Sequence, residues 1–241
     1  MSQRLNKLLF SRMRDVNLRY GLISDGDRIA VGMSGGKDSM ALLSLLLRFR
    51  RYTPLQFTLT PVCLDLGFGN DISELMDYCR QQSLELIVHP TDIAEIVFEL
   101  RQEQNPCALC AHLRRGALNR IAKELSCNKV ALGHHLDDVV NTWLLSLLYE
   151  GQFHVFRPKT WLDRREITVI RPLVYIEEEL LKRYVEEEGL KPVINRCPAD
   201  GGSKRAEVSA LLEQLASSYP DIRHRILSAI EHADHNSFWI S

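Results

Sequence analysis

Short apolar runs alternate with amphipathic stretches over most of the chain. The runs rich in β-forming residues are 27–33, 57–64, 84–89, 129–133 and 167–173. Each run has the length and apolar character of a buried strand, and the stretches between them carry apolar residues at helical spacing. Strands that alternate with helices form a mostly parallel sheet covered on both faces. The pattern therefore predicts a doubly wound α/β fold.

The pattern changes near both ends of the chain. Residues 5–20 mix apolar and basic side chains at helical spacing. Beyond residue 176 the β-forming runs stop, and three further helices are predicted, over 177–189, 203–217 and 221–233. We therefore expect an N-terminal helical segment over residues 1–24, an α/β domain over 25–175 and a helical C-terminal extension over 176–241.

Composition narrows the class of protein. The chain has 241 residues, of which 45% are hydrophobic and 25% charged, and this is enough to bury a large core. The net charge is −1, so a nucleic-acid partner needs a local positive patch. The most apolar run, 40–47, is too short to cross a bilayer, and the N-terminus lacks the features of an export signal. We expect a cytoplasmic protein that does not bind membranes.

A glycine loop, SGGKDS at positions 34–39, joins the first predicted strand to an apolar helix. It is tighter than the Walker-type loop. Its glycines let the backbone approach an anion, which the N–H groups and the positive end of the helix attract. Asp38 beside a phosphate favours an intervening divalent cation. An ordinary strand–turn–helix connection also uses glycine and serine, but the complete hexapeptide favours a phosphate site.

A second acidic motif, GHHLDD at positions 133–138, follows a strand and opens a helix. It should lie at the same carboxyl edge of the sheet as the glycine loop, where ligands bind in open α/β sheets. Asp137 and Asp138 can hold Mg²⁺ there, and the histidines can contact phosphate. Taken alone, the two carboxylates are equally typical of a helix N-terminus. Asp65 ends another predicted strand on this edge, where simple turn chemistry also explains it.

The six cysteines stand at positions 63, 79, 107, 110, 127 and 197. Without an export signal, metal binding or redox chemistry is a better interpretation than disulfides. Cys107 and Cys110 lie three residues apart at the start of a predicted helix, on one face. A zinc site that recruits His112 or Cys127, a redox disulfide and an iron–sulfur cluster with three thiolates are all compatible with this pair. Cys197 is the natural third ligand, although spacing alone favours an ordinary loop thiol.

Several motifs together resemble a known family. SGGKDS resembles the pyrophosphate loop of the PP-loop ATPase superfamily, which has a HUP-like fold, and GHHLDDVVNT resembles the second motif of its tRNA-modifying members. CALCAHLRRGAL, RPL and the late cysteine complete an ordered set that spans residues 27 to 197. This set resembles the tRNA 2-thiocytidine synthetase (TtcA) family.

The resemblance implies an enzyme that adenylates a base carbonyl oxygen of tRNA, at C2 of a cytidine, and then replaces AMP by sulfur. It implies ATP, Mg²⁺ and a [4Fe-4S] cluster held by Cys107, Cys110 and Cys197. The implied catalytic residues are Lys37, Asp38, Asp137 and Asp138, with Asp138 as the magnesium ligand. The implied nucleotide contacts are Met33, Ser34, Gly35, Gly36, Lys37, Asp38, Ser39, Leu64, Asp65, Gly133 and His134.

The expected partners are a tRNA, a sulfur donor (a cysteine desulfurase or free sulfide) and a second copy of the chain in a homodimer. Basic residues suited to an RNA backbone are Arg114, Arg115, Arg120, Arg157, Lys159, Arg164, Arg165 and Arg171. Trp161 and Phe156 can stack on bases. For any single basic residue, ordinary solvated charge is an equally good explanation.

Other functions use the same motifs. The enzyme can thiolate another base such as uridine, or relay a persulfide between two cysteines without a cluster. A non-catalytic nucleotide- or redox-sensing module would bind ATP without releasing pyrophosphate. Ligation of the lysidine type is disfavoured, because that reaction would not use the cysteine pair.

Overall fold

The computed structural model describes residues 3–101, 106–199 and 204–234. Its strands are β1 (Arg28–Gly32), β2 (Thr58–Asp65), β3 (Ile87–Pro90), β4 (Lys129–Ala131), β5 (Lys159–Leu162) and β6 (Ile167–Ile170). Its α-helices are α1 (Gln3–Tyr20), α2 (Lys37–Tyr52), α3 (Ser73–Gln81), α4 (Pro106–Glu124), α5 (Leu136–Leu145), α6 (Glu178–Glu187), α7 (Lys204–Ser218) and α8 (Ile222–Glu231). Two π-helical turns span Glu95–Leu100 and Ser146–Glu150. None of these described helices has the length and apolar character needed to cross a membrane.

The strands form one sheet in the order β3-β2-β1-β4-β6-β5. Every neighbouring pair among the first five strands of this order, β3 to β6, is parallel. The chain runs outward from β1 to β3 and then crosses back to β4 on the other side of β1, so the winding direction reverses between β1 and β4. Ligands of open α/β sheets bind at such a reversal, beyond the carboxyl ends of the strands. The predicted doubly wound fold is confirmed.

The sheet has an edge strand that the apolar pattern did not predict. β5 pairs antiparallel with β6, and Trp161 faces Thr168 in this ladder. Burial alternates along β5 between exposed and half-buried positions. A short, solvated edge strand of this kind lacks the continuous apolar run of a buried parallel strand. The five predicted strands are all present, with ends that differ from the prediction by at most three residues.

Helices cover both faces of the sheet. α4 places Leu118, Ile121 and Ala122 on a cluster that also contains Ala30 and Val130. α2 is apolar around most of its circumference, because it lies between the sheet and the outer helices α1 and α6, against which it packs. Its hydroxyl at Ser44 is hydrogen-bonded to Tyr184 of α6 at 2.7 Å. This packing fixes α2, whose first turn contains the last three residues of the glycine loop.

The chain divides into two compact units. The first comprises Met1–His135 and Arg157–Asp200 and contains the whole sheet. The second comprises Leu136–Phe156 and Gly201–Ser241, where Leu136, Val140 and Leu144 of α5 form a core with residues of α7 and α8. The predicted domain boundaries after residues 24 and 175 stay predictions.

Candidate nucleotide and thiol sites

The glycine loop lies between β1 and α2, at the carboxyl end of the strand next to the reversal point. Gly35 has a left-handed φ of +79°, which favours glycine. The Ser34 hydroxyl accepts a hydrogen bond from the Gly36 N–H at 3.3 Å, and the Ser39 hydroxyl donates to the Gly36 carbonyl at 2.9 Å. Gly36 precedes α2 and has no side chain to cap its first N–H groups. This loop therefore leaves helix N–H donors available for an anion, and its predicted contacts with phosphate stay predictions.

Lys37 lies between two carboxylates at the start of α2. Its Nζ is 3.0 Å from Asp38 Oδ2 and 2.8 Å from Glu178 Oε1 of α6. Burial lowers the pKa of Lys37, but the hydrogen bonds and charges of Glu178 and Asp38 outweigh it, so the pKa is raised. Burial likewise opposes ionisation of Glu178, yet the hydrogen bond from Lys37 and nearby positive charges leave its pKa lowered. The ammonium group is thus held charged beside the loop.

Glu178 was not among the predicted site residues. It stands in the first turn of α6, where acidic residues are common for purely electrostatic reasons. Its contact with Lys37 joins positions 141 residues apart in sequence, so no local signal identified it.

The second motif meets the glycine loop through Gly133. A Cβ added at Gly133 would lie 3.0 Å from the carbonyl oxygen of Asp38 and 3.3 Å from the N–H nitrogen of Ser39. His135 is buried, and its Nε2 lies 3.8 Å from Asp38 Oδ1. The structure therefore brings SGGKDS and the start of GHHLDD together at one edge of the sheet, as the sequence predicted. His134, half-buried, follows Gly133 at this edge.

Met33, Leu64 and Asp65 lie on the neighbouring strand ends. Met33 is buried, and its N–H donates to the carbonyl of Val62 at 2.8 Å. Leu64 and Asp65 are the last residues of β2, which pairs with β1 in parallel. The Asp65 carboxylate accepts the Gly67 N–H at 3.0 Å, which is turn chemistry. Because Asp65 lies at the carboxyl end of β2, the backbone there can present hydrogen-bonding groups to the base of a nucleotide.

Cys107 and Cys110 lie one turn apart at the start of α4, the first exposed and the second half-buried. Burial raises the pKa of Cys110, and the charges of Cys197 and Cys107 add to this effect while Arg114 opposes it. The charge of Cys197 thus acts on the Cys110 thiol, and the three-ligand site stays a prediction. In residues 3–101, 106–199 and 204–234, no three histidine, cysteine or carboxylate side chains are already arranged to hold a metal ion.

The other three cysteines lie in the core. Cys63 lies in β2, Cys79 lies in α3 and Cys127 follows α4, and all three are buried. Burial raises the pKa of Cys63 to about 11, with the Asp65 charge adding to it. Free cysteines are often buried in this way without a chemical role.

Asp137 and Asp138 belong to α5 in the second unit. Asp137 is buried, and its Oδ1 accepts a hydrogen bond from Arg223 Nε of α8 at 2.7 Å. Asp138 is half-buried and accepts one from Arg205 Nη1 of α7 at 3.1 Å. Both carboxylates thus have arginine partners within their own unit, and their catalytic and magnesium roles stay predictions.

Some of the predicted basic residues have hydrogen-bond or ion-pair partners within the protein, and the others are exposed. Arg171 is buried and donates to the Arg157 carbonyl at 2.7 Å, and burial, with the Arg115 charge, lowers its pKa to about 10. Lys159 donates to the Gly21 carbonyl at 2.7 Å, and Arg120 pairs with Glu124 at 2.9 Å. The exposed remainder comprises Arg114, Arg115, Arg157, Arg164 and Arg165. Trp161 is 55% exposed, whereas Phe156 is half-buried in the second unit.

Comparison with known proteins places this geometry in a class. The family model described as a PP-loop domain (ATP_bind_3) matches residues 3–209. The solved U34-tRNA thiolase NcsA from Methanococcus maripaludis, with its [4Fe-4S] cluster, superposes with a TM-score of 0.79 at 25% identity. The match covers 95% of this chain and 80% of that one. The fold and the glycine loop are thus those of a PP-loop ATPase.

Two curated relatives define the family more narrowly. The tRNA-cytidine(32) 2-sulfurtransferase of Syntrophotalea carbinolica is 41% identical over 215 residues, which are 88% of this chain and 83% of the relative. The enzyme of the same name from Geobacter sulfurreducens is 40% identical, over 88% of this chain and 84% of the relative. The chain belongs to the tRNA-cytidine(32) 2-sulfurtransferase family.

Proposed function

We propose that this chain is an ATP-dependent tRNA sulfurtransferase that converts a cytidine of tRNA to 2-thiocytidine. The relatives' names place the modified cytidine at position 32, and we propose the same position here. The observation that carries the proposal is the coexistence, in one compact unit, of the nucleotide loop, the Gly133 contact and the three cysteines. Family membership without these residues would support only the class of fold.

The nucleotide chemistry follows from the loop. The N–H groups at the start of α2 and the Lys37 ammonium would hold the triphosphate. The Asp38 carboxylate could hold a Mg²⁺ ion, which would supply charge neutralisation for the phosphates. The O2 atom of cytosine attacks the α-phosphorus, a new P–O bond forms, and the bond to the β-phosphate oxygen breaks. Pyrophosphate leaves with the negative charge. Lys37 would stabilise the charge that develops on the departing phosphates.

Sulfur transfer completes the exchange. A sulfur nucleophile at the sulfide oxidation level attacks C2 of the adenylated base, a C–S bond forms, and the C–O bond breaks. AMP leaves with the original O2 atom, so no oxidant or reductant is consumed. The site must exclude water, because water attacking the same carbon only regenerates cytidine.

The cysteines fit an iron–sulfur cluster by their chemistry. Thiolates are the ligands that iron–sulfur clusters prefer, and two of the three thiols lie one turn apart with the third near Cys110. We propose that Cys107, Cys110 and Cys197 hold a [4Fe-4S] cluster, as the resemblance implies. When bound by three thiolates, such a cluster supplies one iron open to an exogenous sulfur ligand. The protein's own contribution is to hold the three thiols on one side of the unit.

The remaining assignments are proposals of the same kind. Asp138 is proposed as a magnesium ligand, since its partner Arg205 is 50% exposed and can be displaced more easily than Arg223, the partner of Asp137, which is only 17% exposed. The proposed sulfur source is free sulfide, or a cysteine desulfurase together with a thiol reductant that releases its persulfide sulfur as sulfide. The chain is proposed to act in the cytoplasm as a homodimer, which light scattering would test.

The test is nucleoside analysis of tRNA. A deletion strain complemented with the wild-type gene should contain 2-thiocytidine at position 32, and complementation with Lys37→Ala or Cys197→Ser should leave it unmodified. Lys7→Ala, an exposed lysine of α1, is the matched control for Lys37→Ala and should restore the modification. If the wild-type chain leaves the content of 2-thiocytidine unchanged, the proposed function is wrong.

Uridine thiolation is the second candidate, because the solved structure of similar fold is named as a U34-tRNA thiolase. The same analysis separates the two, since the sulfur would then appear in 2-thiouridine. Iron content and visible absorbance after anaerobic purification separate cluster chemistry from a persulfide relay, which needs no iron. A sensing module would bind ATP without tRNA-dependent release of pyrophosphate.

A further inference from the structure

A single irregular segment touches both the nucleotide loop and the thiol site. Residues 190–197, here called the connector, follow α6 and end at Cys197. The connector has no regular secondary structure, so its path depends on the contacts that hold it. Contacts at Lys191, Val193 and Arg196 anchor it to other parts of the first unit.

The central contact is with the glycine loop. The Val193 N–H donates a hydrogen bond to the Gly35 carbonyl at 2.9 Å. A Cβ added at Gly35 would lie only 2.6 Å from Val193 Cγ2 and 2.7 Å from Val193 Cβ. Gly35 is buried although it lies in a loop. The Val193 side chain therefore covers the backbone of the nucleotide loop at its left-handed residue.

The flanking contacts fix the direction of the connector. Lys191 pairs with Glu74 of α3 at 2.9 Å. Toward the cysteine, the Arg196 N–H donates to the Asn70 side-chain oxygen at 3.0 Å, and the Cys197 N–H donates to Asn195 Oδ1 at 3.2 Å. These hydrogen bonds hold the backbone at Cys197, whose charge acts on the Cys110 thiol at the start of α4. A displacement of Gly35 must therefore move Val193, four residues from the thiol.

We propose that Val193 and Asn70 are positioning residues that couple the nucleotide loop to Cys197 through the connector. Occupation of the loop by ATP then changes the accessibility of the Cys197 thiol, and modification of that thiol changes the affinity for ATP. For a ligand that binds the Cys197 thiol reversibly, the coupling to ATP would be equal in both directions, because coupling between two binding sites is reciprocal in free energy. This inference rests on the proposed function, since it takes the loop as the nucleotide site and Cys197 as a working thiol.

The test uses the full chain without a cluster, so that its readout is not activity. N-ethylmaleimide labelling of Cys197, followed by peptide mass spectrometry, is measured with and without a non-hydrolysable ATP analogue, and the dissociation constant of the analogue is measured by calorimetry. Val193→Ala removes the methyl groups that cover Gly35. Ile194→Ala is the matched control, since Ile194 is the next residue of the connector and is 82% exposed.

In the wild-type chain, the analogue should change the labelling rate of Cys197 by about fivefold or more, the usual lower limit of a coupled pair of sites. In Val193→Ala this response should disappear and the dissociation constant should rise severalfold, while Ile194→Ala behaves as wild type. Asn70→Ala should raise the labelling rate and reduce the response to the analogue. Asn70→Asp retains an acceptor for the Arg196 N–H and should retain the response.

A labelling rate that ignores the analogue in the wild-type chain would overturn the inference, as would a Val193→Ala protein that matches Ile194→Ala in both measurements. Circular dichroism verifies that each variant is folded. The outcome is separable from the proposed function: a wild-type chain that thiolates tRNA but shows no change in labelling refutes only the coupling. A chain that shows the coupling but forms no thionucleoside refutes only the sulfurtransferase.

Discussion

Lys37 shows how single residues set the chemistry of the nucleotide loop. Its burial alone would lower its pKa, but two carboxylates within hydrogen-bond distance reverse the effect. One of them, Asp38, is local and was predicted, whereas the other, Glu178, comes from α6. The pair keeps a positive charge in place before any phosphate arrives, which is the electrostatic preorganisation that phosphoryl chemistry needs.

Glu178→Gln should therefore reduce turnover more than affinity. The neutral amide holds Lys37 less firmly, so kcat for tRNA-dependent pyrophosphate release should fall about tenfold or more. The KM for ATP should not rise, because the charge of Lys37 remains. Loss of the carboxylate also lowers the pKa of Lys37, so the alkaline decline of kcat should begin at a lower pH than in the wild type. Enzyme kinetics across a pH series would measure both effects.

Glu179→Gln is the control for this prediction. Glu179 lies next to Glu178 in the first turn of α6 but is exposed. It should leave kcat and its pH profile unchanged. Equal effects of the two substitutions would mean that Glu178 acts through the helix and not through Lys37.

A second prediction at the scale of single residues concerns Gly133. A methyl group there would press on backbone atoms of Asp38 and Ser39, which cannot rotate away as a side chain can. Gly133→Ala should displace the loop and weaken ATP binding about tenfold or more, measured by calorimetry. Gly116→Ala is the control, since a Cβ in that part of α4 meets no atom of the described chain within 4 Å. It should leave ATP binding unchanged and stabilise the protein by about 0.5–1 kcal/mol. An unchanged ATP affinity in Gly133→Ala would contradict the role of this contact.

At the scale of elements, apolar runs predicted the strands that are buried on both faces. β1, β4 and β6 are continuous buried runs, and such runs carry their own signal. β5 was missed because an edge strand needs no apolar face. The glycine loop and the cysteine pair were predicted because their chemistry is local in sequence. Glu178 and Val193 were missed because their roles depend on contacts between distant segments, which no periodicity records.

The junction between β1 and β4 contains a buried ion pair. Lys129 Nζ is 2.6 Å from Asp27 Oδ2 and 2.7 Å from the Leu22 carbonyl, and both charged side chains are less than one-tenth exposed. Asp27 also accepts the Ser24 N–H and the Asn128 amide. The network joins two adjacent strands to the segment that follows α1.

Lys129→Met should destabilise the protein by about 3–5 kcal/mol, because it leaves the Asp27 carboxylate buried without its cation. Urea unfolding would measure the loss. The comparison is Lys123→Met, which removes a pair with Glu166 whose two side chains are 51% and 72% exposed. Exposed pairs contribute about 0–1 kcal/mol, so this variant should unfold near the wild-type midpoint. Similar midpoints for the two variants would show that the Asp27 network is not stabilising.

At the scale of the whole molecule, the chain is organised differently from its linear pattern. α5 follows β4 directly, yet its core partners are in α7 and α8, more than sixty residues later. The sequence shows α5 as an amphipathic helix but cannot show which distant helices cover its apolar face. Because of this pairing, the two carboxylates of the second motif have partners that the motif itself does not contain.

Asp137 and Asp138 should therefore differ in what their loss does. Asp137 is buried and pairs with Arg223, which also contacts Glu213. Asp137→Asn leaves a guanidinium that is only 17% exposed with one carboxylate fewer, and urea unfolding should show a loss of about 1–3 kcal/mol. Asp138 pairs with the half-exposed Arg205, so Asp138→Asn should change the stability by about 1 kcal/mol or less. If Asp138 is the magnesium ligand, the same variant should lose most of its Mg²⁺-dependent pyrophosphate release while it stays folded. The reverse result, in which Asp138→Asn unfolds more easily and Asp137→Asn loses only activity, would exchange the two assignments.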